Sequence, residues 1–250
     1  MSTFDRNNQV PYATAGSYAD AGIDQGLRAY MLGVYNYMTL GLAITGLVAM
    51  ATVYFAIDTA TGGLTTFGLA IYASPLKWVI MLAPLAMVFF LSFRIQSMSA
   101  SAAQTTFWIY AALMGASLSS IFLVYTGGSI ARVFFITAAS FGALSLFGYT
   151  TKKDLSAWGS FLFMGLIGIV LASLVNIFLA SSALQFAVSV IGVLVFAGLT
   201  AYDTQQIKEM YYEGDGHEAT TKKSVMGALR LYLDFINMFL MLLQLFGNRE

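Results

Sequence analysis

The chain has 250 residues, 58% of them hydrophobic and 10% charged, and its twelve basic and twelve acidic side chains cancel to a net charge of zero. Soluble domains carry about 25% charged residues, so this composition and a mean hydropathy of +0.75 exclude a water-surfaced domain and indicate an integral membrane protein. The balanced charge gives no footprint for nucleic acid, and the absence of cysteine excludes a disulfide framework and a thiolate metal site.

Residues 1–29 are polar, with no basic segment leading into a short apolar core and cleavage site, and are expected to form a flexible cytoplasmic tail. A bilayer core about 30 Å thick needs roughly 20 apolar residues per helical span. Six runs meet that requirement, at 30–55, 76–96, 105–125, 130–149, 158–180 and 186–207. A seventh, 225–247, carries Arg230, Asp234 and Asn237 in its first half. Residues 30–250 therefore read as a seven-helix transmembrane domain with short links, the longest being 56–75 and 208–224. Small residues inside the spans (Gly41, Gly46, Gly115, Ser119, Gly165, Gly168, Ala172) are expected to serve helix packing. Lys and Arg fall eight to three on the side of the tail, which places the amino terminus in the cytoplasm. The charge count leaves the side of the carboxyl terminus open, because the last segment either crosses or re-enters.

Few ionisable groups remain at depth. An Asp or Arg at a helix centre costs about 2.5–3.5 kcal/mol on insertion scales, so such residues face the bundle interior and take partners. Asp234 shares a helical face with Arg230, four before it, and with Asn237, three after it. Spans six and seven are consecutive and expected to be antiparallel neighbours. Counted from their common end, Asp203 and Asp234 differ in depth by roughly 7 Å at 1.5 Å per residue, an offset that modest tilt removes. Two carboxyls in hydrogen-bond reach at low dielectric share one proton and titrate as a unit, a pH sensor without histidine. The spacing equally permits Asp234 to pair with Arg230 on one helix, with Asp203 an interfacial residue. Arg94, at the same end of span two, reads as a latch on the acidic pair or as a positive-inside anchor. Thr204 and Gln206 beside Asp203, with Arg230 and Asn237, are candidate supporting residues of an ion path. His217 stands in the charged stretch "EGDGHE", which lacks EF-hand spacing.

These segments resemble the Bax inhibitor-1 (transmembrane Bax inhibitor motif) family, over essentially all of 30–247. The resemblance is carried by "TKKDLSAWGSFLFMGLIG" (151–168), "NIF" (176–178), "SVIGVLVFAGLTAYDTQQIK" (189–208) and "LYLDFINMFLMLLQLFG" (231–247). It implies an all-α fold of seven transmembrane helices with the last, semi-polar helix central. It also implies a pH-sensitive calcium leak, with Asp203 and Asp234 as a proton-sharing gate that binds calcium transiently and Arg94 as its latch. Span two, "KWVIMLAPLAMVFFLSF", has no acid where the bacterial type carries a glutamate.

The expected function is a calcium-permeable leak channel or calcium/proton exchanger in a bacterial inner membrane, with calcium and protons as its partners beside the lipid. It is not expected to be an enzyme or to need a cofactor. The alternatives are a non-conducting regulator that binds other membrane proteins, such as a membrane protease, and an intramembrane aspartyl protease. For the last, "LYLD" lacks the Gly-x-Gly-Asp pattern.

Overall fold

A computed structural model describes the backbone of residues 15–58 and 60–249, with side chains from residue 25 onward. Seven helices long and apolar enough to cross a membrane make up the fold: α1 (Ala15–Ala56), α2 (Leu76–Arg94), α3 (Ala100–Leu118), α4 (Gly127–Thr150), α5 (Ser156–Leu179), α6 (Ser182–Glu209) and α7 (His217–Phe246). The protein is a multi-pass, all-helical membrane protein. In lipid, only a helix satisfies every backbone donor and acceptor within its own segment, which is why these apolar runs have this one solution.

The helices outrun the apolar segments. α1 begins at Ala15, not at residue 30, so half of the expected tail is helical; residues 1–14 lie outside the described part. α7 begins at His217 although its first turns, "HEATTKKS", are polar. Hydropathy marks the lipid-covered stretch, whereas the hydrogen-bond ladder continues beyond it. Helix starts are capped by hydroxyls: Ser99 accepts from the Ala102 amide, Thr126 from Ser129 and Ser181 from Leu184, each at 3.3 Å. The α5–α6 turn places Ala180 at φ 47°, a conformation rarely taken by residues other than glycine. There Asn176 holds the turn, its Oδ1 accepting from the Ser181 amide at 3.0 Å.

α7 occupies the centre. In its most apolar window 67% of residues are buried, against 11% in α5. α1, α3, α4 and α6 pack directly on it, while α2 packs chiefly on α3 and α5 on α6, giving a second tier. α7 crosses completely: Lys222 near its start donates to the carbonyls of Gln96 and Met98 in the α2–α3 link, and beyond its end the Asn248 carbonyl accepts from the Thr126 amide in the α3–α4 link. The last segment is therefore a full span.

Of the small residues read as packing sites, Gly41 lies against Phe107 and Tyr232, Gly115 against the Thr45 carbonyl and Gly165 against Val195. Gly46 and Gly168 have nothing within 4 Å of where a Cβ would stand.

Candidate functional site

α7 places Asp234 on the face that α6 covers, together with Gly227, which meets Ile207, and Met241, which meets Gly192. At 100° per residue these positions, seven apart, step by only about 20° each and span about 40°. α6 turns Asp203 toward the same contact, and the two carboxyls lie in hydrogen-bonding reach of each other. Asp234 is 4% exposed, and its Oδ2 receives no hydrogen bond from a donor of the protein. Two carboxylates cannot hydrogen-bond, since neither donates; the contact is complete only when one of them carries a proton. Asp203 is half-buried and Asp234 buried.

The charge that acts on both carboxyls is Arg230, one turn before Asp234. It is exposed and makes no direct ion pair among the described residues, whose two ion pairs are Lys222–Glu218 and Lys223–Asp215. These pairs occupy two of the carboxylates of "EGDGHE", and His217 opens α7 instead of lying in a loop.

Arg94 is not at the pair. It ends α2 with an exposed side chain, and among the described residues it forms no ion pair. Lys222 is the α7 residue at the level of the α2–α3 link. Asp234 is twelve residues further on, about 18 Å along the axis at 1.5 Å per residue. Because α2 sits in the outer tier, on α3, its terminal arginine is carried away from the α6–α7 contact. The charge that acts on the two carboxyls is that of Arg230, not Arg94.

The supporting residues divide. Thr204 is one residue, 100°, past Asp203 and faces α4: its hydroxyl donates to the Thr200 carbonyl at 2.7 Å and stands 2.9 Å from Ser145 Oγ. Gln206 lies at the surface, its Nε2 donating to Glu209 at 3.1 Å. Neither points at the carboxyls. Asn237 is half-buried and donates back to the Leu233 carbonyl at 2.8 Å. With Arg230 and Gln244 it forms a line of polar residues seven apart on the least covered face of α7, between α6 and α3. Gln244 accepts from Ser189 of α6 at 2.8 Å.

Several residues that hold this site in place escaped the sequence reading. Ser145 of α4 bridges Tyr35 of α1, at 2.6 Å, to Thr204 of α6. Gln205, buried, accepts from the Leu155 amide and donates to the Lys153 carbonyl, both at 2.8 Å, and so clips the α4–α5 link to α6. Thr45 accepts from the Tyr232 hydroxyl at 2.6 Å and turns its own proton to the carbonyl of Gly41 or Ala111, each at 2.9 Å. Their one signal is a polar side chain recurring on the buried face of an otherwise apolar span.

The family described as "Inhibitor of apoptosis-promoting Bax1" matches residues 27–250. The chain belongs to this Bax inhibitor-1 family. The inner membrane protein YbhL of Escherichia coli (strain K12) is 52% identical over 252 aligned residues, covering 100% of both chains. An uncharacterised protein of Rickettsia prowazekii is 51% identical, covering 91% of this chain and 92% of its own. One from Caulobacter vibrioides is 48% identical, covering 98% and 99%. The Bax inhibitor-1 match includes the whole of α2 to α7, and so both helices that carry the carboxyl pair.

Proposed function

We propose that this Bax inhibitor-1 family member is a pH-sensitive, calcium-permeable leak channel or calcium/proton exchanger, gated by Asp203 and Asp234, in a bacterial inner membrane with its amino terminus in the cytoplasm. The observation that carries the reading is the contact of two carboxyls, one of them fully buried, between the central helix and its neighbour. A charged group in a span is costly and takes a partner; here the partner is a second acid, so a proton must be held between them. With the proton shared, α6 and α7 are tied together. Loss of the proton sets two negative charges against each other, and arrival of a second removes the charge that Arg230 attracts. Either change alters the α6–α7 contact and opens the way to the strip formed by Arg230, Asn237 and Gln244.

Calcium takes six to eight oxygen ligands. Among the described residues no group of three or more acidic or imidazole side chains gathers to hold a metal, so an ion passing this pair keeps much of its water. Weak, partial coordination suits permeation, in which an ion must leave as readily as it binds. The reading is of a transport path and not of an enzyme.

The test is calcium flux into liposomes holding the purified chain, across a range of pH. Wild type is expected to conduct with a pH dependence that Asp203→Asn and Asp234→Asn each abolish. Flux and pH dependence unchanged in both variants would place the gate elsewhere. Absence of flux, with stoichiometric capture of a membrane protein, would favour the non-conducting regulator.

A further inference from the structure

A second feature lies on the opposite side of the bundle from the polar strip. α1 and α4 meet at the Tyr35–Ser145 hydrogen bond but have little other contact; between them runs a cleft of 1470 Å3 whose floor includes Phe235 of α7. Its rim residues Leu32, Leu47, Phe135 and Leu146 are all more than half exposed, so the cleft opens sideways. Along α1 it extends from Arg28 to Met50, about 33 Å at 1.5 Å per residue, against a hydrocarbon core of about 30 Å.

We propose that this cleft is a phospholipid seat, which takes acyl chain along its apolar walls and an anionic headgroup at its Arg28 end. Water does not fill an apolar cavity, and a cleft open to the bilayer has hydrocarbon at its mouth. The two ends differ. Arg28 is exposed and forms no ion pair among the described residues. Beside it stands Tyr149, whose carbonyl accepts from Lys208 at 2.9 Å and whose ring lies 5.7 Å from the same ammonium. The far end, at Met50, Phe122 and Gly127, presents no charge. Basic pockets between transmembrane helices select acidic headgroups, so charge complementarity names the ligand and the end at which its phosphate sits. The interior is also left vacant by the chain itself: Gly46 and Gly142 line the cleft, and a Cβ at either would meet nothing within 4 Å.

The test is native mass spectrometry of the purified full chain after incubation with phosphatidylglycerol or with phosphatidylcholine of the same acyl chains. One phosphatidylglycerol is expected to be retained, several-fold in preference to phosphatidylcholine. Arg28→Gln should equalise the two lipids, and Gly46→Leu with Gly142→Leu should remove the retained lipid of either kind. An unchanged thermal midpoint shows that the leucines entered empty space; should that double variant fail to fold, Arg28→Gln decides alone. Equal retention in wild type, a preference that survives Arg28→Gln, or an undiminished lipid count in the leucine variant overturns the proposal. A dimer in place of the lipid adduct, dispersed by the leucines, would assign the cleft to a second copy of the chain instead.

Discussion

Gly148 of α4 and Ala201 of α6 approach so closely that a Cβ at position 148 would stand 2.2 Å from the Ala201 carbonyl oxygen. The atom in the way is backbone, so no rotamer change relieves it. Gly148→Ala must push α4 from α6, at a cost of about 1–3 kcal/mol for an overpacked contact. Gly142→Ala, on the same helix with open space around it, is the control and should leave stability unchanged or slightly raised. Thermal unfolding of both variants in one detergent checks the difference.

The bridge Tyr35–Ser145–Thr204 ties three helices through one hydroxyl. Interhelical hydrogen bonds in membranes average about 0.6 kcal/mol. Ser145→Ala should therefore cost on the order of 1 kcal/mol, as two bonds are lost. Tyr35→Phe should cost about half that, and adding it to Ser145→Ala should cost nothing more than the loss of residual contacts. A double-mutant cycle in unfolding free energy is the measurement.

Gln205→Ala removes a donor and an acceptor at once, leaving the Leu155 amide and the Lys153 carbonyl without their partner. At about 1 kcal/mol for each neutral bond, a loss of about 2 kcal/mol is expected. The local readout is faster hydrogen exchange at the Leu155 amide, with exchange at the centre of α7 unaltered.

Two carboxylates outside the spans respond to acid in a predictable sense. The Asp58 carboxylate accepts from the Ala60 amide at 2.9 Å and the Thr61 hydroxyl at 2.9 Å; that of Asp154 accepts from the Ser156 amide at 2.8 Å. These bonds favour the charged form and lower both groups below the usual Asp range. A lowered folded-state value means that the stabilisation is present above the unfolded value and is lost as pH falls through the folded one. Amide resonances of Ala60 and Ser156 should hold steady at neutral pH and shift only in acid, below the ordinary Asp value. Asp58→Asn and Asp154→Asn should each remove the corresponding titration.

The acidic pair was legible in the sequence because a helix is regular: depth along α6 and α7 follows from residue count, and both aspartates stand out against apolar neighbours. The position of Arg94 was not, since a count along α2 gives height but not which neighbour the helix leans on. α2 leans on α3, and the arginine goes with it. "AYDTQQ" shows the same limit at closer range. Successive residues step by 100°, so Tyr202 faces Gly159, Asp203 the carboxyl partner, Thr204 the α4 hydroxyl, Gln205 the α4–α5 link and Gln206 the surface. Only the aspartate is costly enough to announce its role. Small hydroxyl and amide groups such as Ser145 and Gln205 cost little individually, and their partners are set by tertiary contacts that no local pattern encodes.

The centre of this bundle is filled by the seventh span in chain order. During synthesis, then, α1 to α6 enter the bilayer before the segment they will enclose exists, and Asp203 is in place before Asp234 has been made. Until α7 arrives, Tyr110, Phe107 and Thr45 have no Tyr232 to pack against, and the six earlier helices form a shell without a core. Assembly of this membrane protein is thus a closing step made by its most polar span, and a chain stalled before residue 217 should be a substrate for membrane quality control.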